Sequence, residues 1–159
     1  MNVSIIVPTK NAARSLTNCL ESLVAQRDLT KEIIVVDNNS GDETAQIAQS
    51  HGALLVRHGP ERAFQKNAGV RAATGEYVIF VDADMQLSQG VLVACLGVGG
   101  RGVAVIIPEE SFGANFWARA KVLERRCYRG NDVIEAARFF HREDFLALGG
   151  FDENLVASG

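Results

Sequence analysis

Two aspartates, Asp82 and Asp84, close an unbroken apolar run, Tyr77-Val78-Ile79-Phe80-Val81. A run without polar alternation reads as a strand buried on both faces. Carboxylates are costly inside such a core, so the chain must surface at Asp82. On a strand, residues two apart point to the same side, roughly 7 Å apart along the chain. Two carboxylates at the carboxyl end of a buried strand suit a hard divalent cation and the phosphates it carries. Aspartate is also common at a plain strand-to-loop exit. The position of the DxD triplet, more than the triplet itself, carries the signal.

The preceding residues supply the elements that would hold this site. Val3-Ser4-Ile5-Ile6-Val7, closed by Pro8, reads as a first strand. Leu16, Leu20, Leu23 and Val24 fall at helical spacing in a helix ending near Arg27. Ile33-Ile34-Val35-Val36 is a second buried strand ending in Asp37, and Ser40-Gly41-Asp42-Glu43 reads as a capping box. The helix it opens runs to about His51, Leu54-Leu55-Val56 follows as a short strand, and a third helix spans about Arg62 to Ala73. This alternation predicts an α/β fold, a mainly parallel sheet with helices on both faces. Ligands in such sheets bind beyond the carboxyl ends of the strands. Those ends carry Pro8-Thr9-Lys10-Asn11, Asp37-Asn38-Asn39-Ser40 and Asp82-Ala83-Asp84, so three polar clusters fall on one rim.

Beyond Asp84 the pattern predicts a helix capped by Ser88 and running through Leu96, then a mobile loop over Gly97 to Gly102. Val103 to Pro108 reads as a strand. Phe116, Ala120, Leu123 and Cys127 form a helical apolar stripe, with Lys121, Arg125, Arg126 and Arg129 opposite. Ala137 to His141 reads as a strand and Glu143 to Leu148 as a short helix.

With 159 residues, 47% hydrophobic and 22% charged, the chain is expected to be a single globular domain. A net charge of -3 gives no reason to expect nucleic-acid binding. Cys19, Cys95 and Cys127 are scattered, which argues for reduced thiols, a cytoplasmic setting and no zinc site. A strand starting almost at Met1 leaves no room for a signal peptide, and the apolar segment Val91 to Val98 is far short of the ~20 residues of a membrane span.

PTKN at the first turn lacks the GxGxxG of a dinucleotide site, and no GxxxxGK[ST] is present. A haloacid dehalogenase type of phosphatase would carry its paired aspartates after the first strand. The segments VSIIVPTKN, EIIVVDNNSGDET, QKNAGVRAATGEYVIFVDADM and LGGFDENL instead resemble, in order and spacing, the family 2 glycosyltransferases with the GT-A fold. DADMQ is similar to the DADLQ of polyprenyl-phosphate sugar transferases. The resemblance implies sugar transfer from a nucleotide diphosphate donor, commonly a UDP-sugar, with inversion. It implies residues 1–86 as the nucleotide-sugar-binding half and 87–159 as the start of an acceptor-side half. Pro8, Thr9 and Asn11 would line the nucleoside pocket, and Asp37 would accept from the base; an Asx turn before Ser40 is the plainer role for Asp37. Lys66 stands where the family often has arginine, and is otherwise a solvated helix lysine. Asp82, Ala83 and Asp84 would meet the donor, with Asp82, Asp84 and Gln86 around Mn2+ or Mg2+.

A general base must also take the acceptor's proton. The family's acidic pair usually follows the GGFDE segment, which here holds Asp152 and Glu153 close to the end at Gly159. The resemblance therefore implies a truncated chain with its base beyond Gly159, or a catalytic role for Asp152, whose plainer reading is a turn residue. A sugar-1-phosphate nucleotidyltransferase is a rival, but PTKNAARS lacks that class's glycine-rich basic loop. A nucleotide-sugar-binding domain without a base is another. The sequence leaves the acceptor unidentified, with a saccharide and a lipid phosphate as the two classes to consider. The basic face from Lys121 to Arg129 reads most simply as a solvated helix face, with peripheral contact with the inner face of a membrane as the alternative, and Phe151 and Leu155 suggest a homodimer.

Overall fold

The structure is a computed structural model that describes residues 2–109 and 136–154. The expected basic helical face and Cys127 lie outside those residues. Six strands form one sheet in the order β3-β2-β1-β4-β6-β5. β1 (Asn2–Thr9) pairs in parallel with both β2 (Thr30–Asp37) and β4 (Tyr77–Phe80), and β2 pairs in parallel with β3 (Leu54–Arg57). β6 (Ala137–His141) is the reversed strand, antiparallel to both β4 and β5 (Ala104–Ile106).

The strands lack polar alternation because both faces are covered. Val3, Ile5, Val7, Ile33, Val35, Tyr77 and Ile79 pack with α1 (Ala13–Val24), α2 (Thr44–Ser50) and α4 (Val91–Val98). Ile6, Ile34, Val36, Val78 and Phe80 face the other way, against α3 (Arg62–Ala72) and Phe145 of α5 (Arg142–Ala147). Leu16, Cys19, Leu20 and Leu23 make the buried stripe of α1, at the helical spacing that the sequence shows. The mainly parallel α/β architecture with helices on both faces is therefore observed.

Four local expectations are corrected. Ser40 and Glu43 form no capping box, because α2 begins at Thr44 and Glu43 makes no side-chain cap bond. Asp42 does that work: its Oδ1 accepts from the Thr44 N–H and its Oδ2 from the Ala13 N–H. Ser40 is diverted to the buried Asp37, whose carboxylate needs donors more than the helix end does. The fourth helix starts after Gly90, in the left-handed region at φ 79°, without a side-chain cap from Ser88. It takes in Gly97, and the turn beyond it is anchored rather than loose. Arg101 pairs with Glu143 and Asp144, and the Gly102 N–H donates to Asp144. Finally, β4 ends at Phe80, so Asp82 and Asp84 lie beyond the strand.

Candidate active site

The first corner of the rim is built where β1 and β2 end side by side, with Thr9 opposite Asp37. Both are almost fully buried. Thr9 Oγ1 donates to Asp37 Oδ1 at 3.0 Å, Ser40 Oγ donates to the same oxygen at 2.5 Å, and the Ser40 N–H donates to Oδ2 at 3.0 Å. This buried carboxylate, with no ion pair among the described residues, is thereby satisfied by three donors. The Asp37 carboxylate accepts from the backbone three residues on, so the link to Ser40 is not the i to i+2 bond of the expected Asx turn. Asn11 crosses the corner at φ 48°, its N–H donating to Ser40 Oγ and its Oδ1 accepting from the Gly41 N–H. Beneath, the buried Gln65 amide donates to the carbonyls of Thr9 and Val36 and ties the two strand ends together. Pro8 is buried beside this pair, in register with Val36. The next strand also ends here, with the His58 N–H donating to the Asp37 carbonyl.

The second corner holds the acids. Val81 still donates to the Ile6 carbonyl, and the chain then turns, with the Met85 N–H bonded to the Asp82 carbonyl at 2.9 Å. Asp82 and Asp84 therefore sit on a turn, and the same-side geometry of a strand does not apply to them. Asp82 is largely enclosed, whereas Asp84 and Gln86 are exposed and Ala83 packs on the core. Both carboxylates lie close to Cys19, whose thiol donates to the Asp82 carbonyl at 3.7 Å. Burial first, then the charges of Asp84 and Asp82, push that thiol up to about 12, so it is inert as a nucleophile.

Asp82 has a partner. Arg138, reaching over from β6, donates from Nη2 to Asp82 Oδ2 at 3.3 Å and from Nη1 to the Phe80 carbonyl at 3.4 Å, and it pairs with Glu109. Lys66 of α3 stands nearby with its ammonium 5.1 Å from the Phe151 ring centroid and 5.7 Å from that of Phe80. It is half-buried rather than a solvated helix lysine. Burial holds its pKa below the ordinary lysine value; Asp82 opposes that shift, while Arg138 and Arg62 reinforce it.

Could these acids hold a divalent cation? Mg2+ and ions like it bind through one or two carboxylates plus substrate phosphates. Exposed Asp84 and the adjoining Asp82 fit that donor set. Among the described residues no three His, Cys, Asp or Glu side chains converge into a cage. Phosphate oxygens and water would complete the shell.

The third part is the turn after α5. Gly150 (φ 77°) passes so close to α3 that a Cβ there would lie 2.6 Å from Asn67 Oδ1. The buried Asn67 amide donates to the Phe151 carbonyl and to Glu153, and it accepts from the Phe151 N–H. Asp152 is exposed and accepts from the N–H and side-chain amide of Asn154, which is the role of a turn residue.

Comparison with known proteins agrees with this geometry. Residues 4–148 match the family model of glycosyl transferase family 2. The chain belongs to that family. Among its relatives, the uncharacterized glycosyltransferase YibD of Escherichia coli is 36% identical over 88 residues, covering 52% of this chain and 26% of that protein. The structure of Staphylococcus aureus TarS 1-349 in complex with UDP-GlcNAc superimposes with a TM-score of 0.54 at 28% identity, covering 72% of this chain and 39% of that one. Mannosyltransferase PcManGT from Pyrobaculum calidifontis, in complex with GDP-Man and Mn2+, gives a TM-score of 0.70 at 27% identity, covering 96% and 48%. This family 2 chain thus spans about a quarter to a half of the length of these relatives.

Arg138, Gln65 and Asn67 were not singled out from the sequence of this family 2 member. Arg138 had a usable signal, an arginine inside the short apolar stretch Ala137 to His141. A cation in a half-buried strand needs an acid within reach. Gln65 and Asn67 gave none, since an amide on a helix is unremarkable until its burial is known.

Proposed function

We propose that this chain binds a nucleoside diphospho-sugar, with UDP-sugars the first class to test, and serves as the donor side of an inverting glycosyltransferase. The observation that carries the reading is the convergence on one rim of a hydroxyl-braced carboxylate, Asp37, with the acids Asp82 and Asp84 and the cation Lys66. The family supports it, as do the nucleotide-sugar complexes of TarS and PcManGT. Because those two carry different bases, the choice of base rests on Asp37 and its surroundings.

In this reading residues 1–86 hold the donor. Pro8, Thr9 and Asn11 border the nucleoside, and Asp37 accepts a hydrogen bond from the base with its geometry set by Thr9 and Ser40. Lys66 faces the diphosphate. Asp84, aided by Asp82 and by Gln86, would hold Mn2+ or Mg2+, which when bound supplies Lewis acidity for the departing diphosphate. Residues 87–159 begin the acceptor side, where a base removes the acceptor's proton from the opposite face of the sugar. Asp152 is the first carboxylate there to test. No helix among the described residues is long and apolar enough to cross a membrane.

The experiment is calorimetric titration with UDP, GDP and their sugars, with and without Mn2+, for the parent and Asp84→Asn. We expect metal-dependent binding of UDP by the parent and its loss in Asp84→Asn with the fold intact. Equal metal-dependent binding by both proteins would remove Asp84 from the site.

A further inference from the structure

We propose that Arg138 is a positioning residue that withholds Asp82 from divalent cations, so that the metal is taken up only together with a nucleoside diphosphate. The proposal rests on the donor-site reading above and adds to it the order in which the site fills.

The argument starts from charge and enclosure. The Arg138 side chain is 16% exposed, that of Asp82 19% and that of Glu109 27%, so water screens these charges poorly. The guanidinium touches three partners from two directions: the Phe80 carbonyl at the end of β4 with Asp82 just beyond it, and Glu109 beyond β5. The Phe80 carbonyl fixes where the guanidinium lies, and Asp82 Oδ2 lies 3.3 Å from it. A cation approaching Asp82 therefore meets a carboxylate already engaged by a fixed guanidinium, which Glu109 shares.

Magnitude decides whether this matters. A cation sharing the Asp82 carboxylate with Arg138 would sit about 6–7 Å from the guanidinium. At that distance a unit charge weakens binding of a divalent ion about tenfold even at the dielectric of water, and by more in an enclosed site. Among the described residues no cage of three acidic, histidine or cysteine side chains makes up the loss. Asp84 alone would hold free Mn2+ poorly. A diphosphate supplies the missing oxygens and negative charge together, so nucleotide and metal should enter as a pair.

A merely structural staple between β4 and β6 would predict that losing Arg138 weakens every function of the site. Withholding predicts a gain instead. The test is titration of free Mn2+, followed by electron paramagnetic resonance, against the nucleotide-free protein. Arg138→Gln, verified as folded by circular dichroism, should bind Mn2+ about tenfold more tightly than the parent, and Arg138→Lys should resemble the parent. The gain should vanish in the double variant Arg138→Gln, Asp82→Asn, which separates release of Asp82 from release of Glu109. Unchanged or weaker Mn2+ binding by folded Arg138→Gln overturns the proposal. Asp82→Asn, with Arg138 intact, provides a check that does not depend on the folding of the first variant. Removing the Asp82 charge should weaken free Mn2+ binding by no more than the roughly tenfold through-space effect of one unit charge, and a larger loss means Asp82 already binds free metal, against the proposal. Mn2+-dependent UDP binding by the parent is measured alongside. If it persists while the Arg138→Gln gain is missing, the donor-site reading stands and the withholding role falls; if the parent shows none, both fall.

Discussion

Replacing Asp37 by alanine should separate a folding role from a recognition role in one residue. Three donors end on this buried carboxylate, Thr9 Oγ1, Ser40 Oγ and the Ser40 N–H. Each bond to a charged acceptor is worth about 1.5–3 kcal/mol, but the losses do not add. Thr9 Oγ1 also reaches the Val36 carbonyl at 3.4 Å, and half-exposed Ser40 can turn to water. The net destabilisation of Asp37→Ala is then about 2–4 kcal/mol, read as a shift of the urea midpoint at constant slope. If Asp37 also accepts from the base, UDP affinity falls by a further ~1–3 kcal/mol, about 5- to 150-fold, when measured by calorimetry well below the variant's melting temperature. Ser40→Ala is the control: it loses one donor to Asp37 and should lower stability by ~1 kcal/mol with little change in UDP binding. Parental stability in Asp37→Ala would refute the hydrogen-bond network. Parental affinity for both UDP and GDP in the folded variant would leave Asp37 a turn residue only.

Two further outcomes follow from the opposite end of the sheet. Glu32 Oε1 accepts from Ser4 Oγ, the Thr74 N–H and hydroxyl, and the Gly75 N–H. Burial pushes its carboxyl upward, but the bonds from Ser4, Thr74 and Gly75 outweigh it and hold the pKa below the ordinary 4.5. A depressed folded-state pKa means that the stabilisation is present above pH 4.5 and lost as pH falls below it. Glu32→Gln should therefore flatten the acid limb of stability against pH, and an unchanged limb would show that the network does not favour the charged form. At Gly75 a Cβ would lie 2.6 Å from Ser4 Oγ and 2.8 Å from the Ser4 nitrogen. Gly75→Ala should lose about 1–3 kcal/mol in denaturant melts, because backbone has to move; no loss would mean that the turn is looser than drawn.

Much of this molecule was legible in the sequence, because its strands are continuous apolar runs and its helices carry apolar residues at helical spacing. Those patterns follow from local geometry and burial alone. They yield the β/α alternation, the parallel sheet and the rim on which Thr9, Asp37 and Asp82 meet, since strand ends in such a sheet lie on one side by construction. What the sequence could not determine was how charged and polar groups choose partners across the fold. Ser40 had the right spacing to cap a helix, yet it bonds Asp37, because a buried carboxylate outbids a helix end that Asp42 can serve. Asp82 and Asp84 had strand spacing, yet the chain leaves the sheet first, and Arg138 takes the Phe80 carbonyl and the Asp82 carboxylate. Arg138 lies 56 residues from Asp82 in the chain. Only the antiparallel register of β6 against β4 brings the two together, and register is a property of the packed sheet rather than of either segment.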